Sequence, residues 1–376
     1  MTISAGFWLQ QTFRSAHELI DLAAEIEAES NVRPGVILVP VNATATLRKL
    51  YIEARRGGDV FLDPSGWWID REPKKMTKKN YTWLDADAPR PKDSAEWRAW
   101  IQRSLEHQLS TELCDGEVAP VVVVTPSPYL QAHAGADELY AVIDAAKDVR
   151  QSLANSPEVW LGVAVDREYL RQERHLTELM NTIVSANFEG IVFRVFHNQV
   201  PPVNDARLLE GIREVVDSSW NAGIKIFLPN SGWLGWLAMA WGAEGFSGGL
   251  SKSSWFDRWP APMNNPPKHD KIFESMLITH VRVTVLPDLE SQPGYVECTC
   301  PACTAMGGEF DEGLARRHQI WAAHREGSLL APLDRNGRHG RIKSRVEEAI
   351  NFRDELPLTT RQRVASAFLD TWQALL

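Results

Sequence analysis

A chain of 376 residues, 44% hydrophobic and 24% charged, has the make-up of an ordinary soluble globular protein and is long enough for one barrel-sized domain with an appendage. It contains no long uncharged apolar run and no basic segment leading into an apolar one at Met1, so the expectation is a cytoplasmic protein without a membrane span. The net charge of −9 excludes indiscriminate coating of nucleic acid by the whole surface but leaves room for a local basic groove.

In chain order, apolar β-rich runs alternate with helical patterns. A helix over Ala16 to Ser30 precedes strands at Val36 to Val41 and Asp59 to Leu62. A helix over Ser94 to Gln108 leads to strand Pro120 to Thr125, and helix Ala136 to Leu153 to strand Val159 to Val165. Helix Arg167 to Ala186, strand Gly190 to Phe196, helix Asp205 to Ala222 and strand Ile224 to Leu228 follow. Helix Trp233 to Trp241 and strand Gly245 to Leu250 come next, and His280 to Leu286 is taken as the eighth strand. Continuous apolar strands are buried on both faces, as in parallel sheets covered by helices. Eight of them in about 250 residues is the rhythm of an α/β (β/α)8 TIM barrel. An open doubly wound sheet is the alternative, and no Gly-x-Gly-x-x-Gly or Walker pattern supports it. The expected division is a barrel over 1–287, a cysteine-bearing insertion with a closing helix over 288–350, and a helical tail over 351–376.

Barrel chemistry collects where strands end at the carboxyl face. The residues just past the expected strands are Asp63, the stretch Thr125 to Tyr129 with Ser127, Asp166, Arg194, His197, Asn230 and Ser247. Asp257 lies slightly beyond. Carboxylates, a guanidinium and hydroxyl or amide groups facing one mouth suit acid–base or nucleophilic work. The plain alternative for Asp or Asn after a strand is a helix cap or a turn. His197, before Pro201-Pro202, reads as a loop residue. Gly66 leaves room for the close approach of a planar group, on which Trp67 or Trp68 would stack.

Three of the four cysteines fall in Cys298-Thr299-Cys300-Pro301-Ala302-Cys303, with His318 following. Thiolates at this spacing converge on one ion, and one imidazole completes the Cys3His set of structural zinc. A Cys-x-Cys pair is too close to bridge comfortably as a disulfide.

This cysteine segment, appended near the end of a barrel, resembles the zinc motif of tRNA-guanine transglycosylases. Phe61-Leu62-Asp63-Pro64-Ser65-Gly66-Trp67 is similar to that family's Asp-Ser-Gly-Gly-Phe segment, whose aspartate is catalytic. Leu161-Gly162-Val163-Ala164-Val165, a helix, and Phe188-Glu189-Gly190-Ile191 resemble its Gly-Ile-Val-Gln-Gly strand, helix and Phe-Asp-Gly strand. His318-Gln319-Ile320-Trp321 resembles the His-Asn-Leu-Trp of archaeal members, and Arg341 to Ile350 their closing helix. The likeness runs from Arg33 to Ile350. In the family the zinc histidine lies further from the last cysteine than His318 does, which keeps His324 as a rival ligand.

The pocket departs from the family. Ser247 stands where the resemblance would place the nucleophilic aspartate. The base-holding glutamine and glycines fall near Val165, Asp166 and Arg194, and the base-recognising aspartate falls among Thr125, Pro126 and Ser127. A kept zinc scaffold with a rewritten pocket resembles the divergent branch that inserts 7-deazaguanine bases into DNA. The resemblance implies exchange of guanine in a nucleic acid, DNA favoured over tRNA, for a free 7-deazaguanine such as preQ0. It implies structural Zn2+, and a homodimer or an accessory DNA-opening protein as partner. Asp63 would do acid–base work, and Asp166 or Asp257 would be the nucleophile. Trp67, Trp68, Ser127, Arg194, Asn230 and Ser247 would contact substrate.

Lys74, Lys75, Lys78 and Lys79, flanked by aromatics, follow the Asp63 segment, where cations would hold phosphates beside a flipped base. A second run, Arg335, Arg338, His339, Arg341, Lys343 and Arg345, is a further candidate for backbone contact. The alternative functions are a zinc-stabilised nucleic-acid-binding or regulatory barrel without exchange activity, and a nucleoside or glycoside hydrolase.

Overall fold

The computed structural model describes residues 4–11, 16–39, 44–67, 70, 90–110, 120, 122–134, 136–153, 157–197, 202–251, 255, 257–258 and 270–376. Among them, the strands of the main sheet are β1 (Gly6–Gln10), β2 (Gly35–Leu38), β3 (Val60–Leu62), β4 (Val122–Val124), β5 (Tyr129–Leu130), β6 (Glu158–Asp166), β7 (Gly190–His197), β8 (Lys225–Leu228), β9 (Gly245–Gly248) and β10 (Asp257–Arg258). Eight of these lie side by side in the order β3-β2-β1-β9-β8-β7-β6-β4, with parallel pairing throughout. The path ends, β3 and β4, approach each other, and the result is a nearly closed α/β barrel of the TIM type.

One expected strand is replaced. The barrel's eighth strand is β1 at the N-terminal end, whose Gly6-Phe7-Trp8-Leu9-Gln10 run is buried throughout. The His280 to Leu286 stretch instead supplies β12 (Thr279–Arg282), antiparallel to β11 (Lys271–Glu274), and then a single 3-10 turn. A short apolar run does not reveal its partner; β12 alternates buried and more open positions, as a half-covered hairpin does.

Two apolar cores follow from the two-residue period of the strands. Trp8, Ile37, Phe61, Val122, Val124, Trp160, Val192 and Phe227 form one. Phe61 on β3 and Phe227 on β8 belong to strands that are not neighbours, yet their ring centroids lie 5.7 Å apart. Such a contact crosses the barrel interior. The intervening residues, such as Leu9, Val36, Leu38, Leu161, Ile191 and Phe193, join the larger core beneath the helices. Gly35 and Gly190 make space for the two interior tryptophans, because a Cβ on either would overlap the ring of Trp8 or Trp160.

Aspartates start several outer helices. Asp93, Asp205, Asp311 and Asp334 each accept a hydrogen bond from the N–H three residues on. The stretch expected as one helix from Arg167 to Ala186 is two, Arg167–Arg171 and Glu173–Ala186, broken at Gln172. A helix over Thr44–Gly57, absent from the sequence reading, packs on β3 and on the helix Ala16–Ser30. Glu312–Leu330 packs on β1. No helix among the described residues is long and apolar enough to cross a membrane.

The interior packing sets an expected outcome. Gly35→Ala should lower stability by about 1–3 kcal/mol in chemical denaturation, because Trp8 is held on all sides.

Candidate active site and metal centre

Three polar residues at the mouth each sit one inward step above an apolar one. Gln10 lies two residues past Trp8, Asp63 two past Phe61, and Arg194 two past Val192, so all three point to the same axis. Their side chains close a ring. Arg194 Nη2 donates to Asp63 Oδ2, and Nη1 donates to Asp257 Oδ2 at 2.8 Å. Asn230 Nδ2 donates to Asp257 Oδ1 at 3.1 Å, while the Asn230 backbone N–H donates to Ser247 Oγ at 2.9 Å. Ser247 Oγ donates to Gln10 Oε1 at 3.1 Å, and Gln10 Nε2 donates to Asp63 Oδ2 at 3.4 Å. The ring is thus Gln10, Asp63, Arg194, Asp257, Asn230 and Ser247.

Backbone geometry fixes these groups. The Asp63 N–H extends the β2 pairing by donating to Leu38 O at 2.8 Å, and Pro64 holds the residue extended. Ser65 then turns at φ 49°, and its N–H donates to Asp63 Oδ1 at 2.8 Å. Asn230 takes φ 48°, a left-handed conformation that Asn tolerates better than most residues. Asp257 is brought in by β10, which pairs with the end of β7 opposite Phe196.

The electrostatics are those of a buried triad. Asp63, Arg194 and Asp257 are 4%, 3% and 6% exposed, so the three charges interact through little water. Burial raises the Asp257 carboxyl above its ordinary value, against the lowering effect of Arg194. Burial pulls the Arg194 guanidinium down, but Asp63 and Asp257 outweigh it and hold the group above its usual value. Trp67 lies with its ring centroid 5.9 Å from the Arg194 guanidinium carbon and meets Phe196 edge-on at 5.1 Å. Tyr129 and Ala164 complete that apolar wall.

Not every candidate joins the ring. Asp166 caps the helix Arg167–Arg171, accepting from the N–H groups of Glu168 and Tyr169 at 3.0 and 3.2 Å and from Ala132 N–H at 3.2 Å. Burial raises its carboxyl, opposed by these three bonds. The Ser127 hydroxyl accepts from Ala164 N–H at 3.0 Å and donates to Pro128 O at 2.9 Å. With Thr125 Oγ1, which accepts from Gly162 N–H at 2.9 Å, it mends a sheet edge interrupted by Pro126 and Pro128. Gly66 does not keep space for a ligand: Trp100, Pro126 and the Ser127 carbonyl already press against it. His197, read as a loop residue, is the buried last residue of β7. Trp68, Lys74, Lys75, Lys78 and Lys79 lie outside the described residues.

Three of the six residues of the second basic run are occupied with structure. Arg338 Nε donates to Leu330 O at 3.2 Å and Nη1 to Ala243 O at 3.0 Å. Arg345 donates to Ser275 O, and Arg335 pairs with Asp217.

The sequence reading missed two residues. Gln10 was invisible because β1 was not taken as a strand; the period-two step from Trp8 would have found it. Asp70 accepts from Tyr129 N–H at 2.7 Å and pairs with Arg90 at 2.9 Å, tying the β3 loop to β5. Burial, opposed by Arg90, pushes its carboxyl up to about 6.

In the C-terminal part, Cys298, Cys300, Cys303 and His318 offer ligand atoms that all lie within 4.8 Å of one another. Cys300 precedes the short helix Pro301–Met306, which carries Cys303, and His318 projects from Glu312–Leu330. His318 Nδ1 lies 3.1 Å from Cys303 Sγ, and its Nε2 donates to Phe273 O at 2.8 Å. That second bond orients the ring so that Nδ1 faces the thiols, as metal-binding histidines require. Three sulfurs and one imidazole suit a metal ion held entirely by protein. His324 is elsewhere, with Nε2 at 3.2 Å from Ser30 Oγ and 3.3 Å from Ser328 Oγ. Burial pulls its imidazole down to about 4.

No protein-family model matches the chain, and no curated protein matches it. Among solved structures it is similar to the carboxyl transferase domain from Rhizobium etli pyruvate carboxylase with pyruvate. A variant of that domain gives 11% identity and a TM-score of 0.34 over 99% of this chain and 58% of that one. A second structure of the domain gives 12% identity and a TM-score of 0.34 over 99% and 62%. The chain therefore spans less than two-thirds of the length of these neighbours, and likeness at this level bears on neither fold nor function.

Two outcomes follow. Elemental analysis should find about one metal ion per chain, lost in Cys300→Ser and His318→Ala and retained in His324→Ala. A folded acid whose proton is held more tightly than in the unfolded chain contributes stability that is complete below about pH 3.8 and lost as pH rises to about 6. Denaturation of Asp70→Asn should therefore show a flatter stability profile than wild type between those limits.

Proposed function

We propose that the barrel mouth carries out base exchange on a nucleic acid, replacing guanine by a 7-deazaguanine such as preQ0, with DNA favoured over tRNA. The observation that carries the reading is the approach of two buried carboxylates, Asp63 just past β3 and Asp257 on β10, to one guanidinium at the carboxyl face. Glycosyl transfer asks for such a pair: one carboxylate to attack the anomeric carbon and a second group to manage protons. Asp257 is taken as the nucleophile because it shares the ring with Asp63, whereas Asp166 caps a helix and does not join it. Attack by an Asp257 oxygen forms the C1′–O bond as the bond from C1′ to guanine N9 breaks; the step requires Asp63 released from Arg194 and protonated at the outset, so that it can give the departing base its proton. The incoming base returns its proton to Asp63 as its own nitrogen displaces the Asp257 carboxylate.

In this reading the Cys3His centre holds Zn2+ as a structural ion, because four protein ligands leave no open position. Lys74, Lys75, Lys78 and Lys79 would supply the phosphate contacts, and Trp67 stacks on a base.

A second reading, a nucleic-acid-binding barrel without exchange activity, draws on one feature: Arg194 ion-pairs with both carboxylates at once and occupies the space between them. Incorporation of radiolabelled guanine into DNA or tRNA separates the two. Exchange into DNA by wild type, abolished in Asp63→Asn and Asp257→Asn but retained in Asp166→Asn, is the expected result. Binding of either polymer without incorporation selects the second reading, and net release of base without exchange selects a hydrolase.

A further inference from the structure

The mouth is built around a cation, and the cation is the chain's own. The Arg194 guanidinium has a carboxylate on each of its two Nη edges and an indole beside it at 5.9 Å. Its register neighbour on β6 is Ala164, which packs with Trp67, Tyr129 and Phe196 as one apolar cluster. Two carboxylates, an aromatic face and a tight apolar wall are what recognition of a planar cation requires. Two acids to one base leave the triad with a surplus of one negative charge when both are ionised. A glycosyl centre develops positive charge during transfer. Arg194 therefore occupies the seat where carboxylates would otherwise meet that charge.

We infer that Arg194 is a latch: it closes the resting mouth by filling a planar-cation site formed by Asp63, Asp257 and Trp67, and the site becomes available to a ligand of guanidinium shape and charge when the side chain withdraws. The inference rests on the exchange reading only for the purpose of the latch; the site itself stands on the geometry of the ring.

Arg194→Ala tests it with methylguanidinium chloride as probe, and methylammonium chloride and sodium chloride as controls. The variant should bind methylguanidinium saturably at millimolar concentration, seen by titration calorimetry and as a rise in melting temperature that methylammonium does not produce. Wild type should show no such binding, and adding Asp63→Asn to the variant should weaken it at least tenfold. If Arg194→Ala does not fold alone, refolding with methylguanidinium, but not with methylammonium, should restore it. A folded variant that does not distinguish the two cations, or an unfolded one that neither rescues, overturns the inference. Because no exchange is measured, failure here leaves the exchange reading untouched, and absence of exchange leaves the cation site standing.

Discussion

The clamp of Arg194 between Asp63 and Asp257 is the interaction on which the mouth depends. Each of the three charges is buried deeply enough that, alone, it would cost several kcal/mol to keep ionised. Together they offset one another, and the neutral members Gln10, Asn230 and Ser247 take up further hydrogen-bonding capacity. The ring joins β1, β3, β7, β8, β9 and β10, so it also holds together strand ends that no backbone ladder connects directly. A closed polar network of this kind specifies one arrangement, because a half-satisfied one would be worse than none.

The metal centre and the mouth are mechanically continuous. The His318 ring that faces the thiols donates to Phe273 O, and the Phe273 ring stacks on Trp233 with centroids 4.5 Å apart and planes within 3°. Trp233 opens the helix that follows the Asn230–Gly232 turn, and the Gly232 N–H donates to Ser247 O at 3.1 Å. The cluster at one end of the chain thus buttresses the loop that positions Asn230 against Asp257.

Much of this was legible in the sequence because apolar periodicity and cysteine spacing are local. The barrel class, the Cys3His set and five of the ring residues, Asp63, Arg194, Asn230, Ser247 and Asp257, came from reading strand ends and motifs. What escaped was non-local. Nothing in Gly6 to Gln10 tells that it lies between β2 and β9, so Gln10 was missed along with its strand. Asp166 and Ser127 looked like pocket residues because a carboxylate or hydroxyl past a strand reads alike whether it serves a ligand or its own backbone. The deciding facts, three N–H groups on Asp166 and two prolines around Ser127 to be compensated, involve Ala132 and Ala164 from other segments. The choice of His318 over His324 turned on helix rotation, since six residues along a helix place the second imidazole toward Ser30 rather than the thiols.

Whether the three charges act as one unit is open to direct measurement by chemical denaturation of Arg194→Met and of the triple variant Asp63→Asn, Arg194→Met, Asp257→Asn. Removing the guanidinium alone strands two buried carboxylates and should cost about 3–5 kcal/mol. Neutralising all three should recover much of that loss, leaving the triple variant more stable than the single one. A triple variant as unstable as the sum of its separate substitutions would contradict the account.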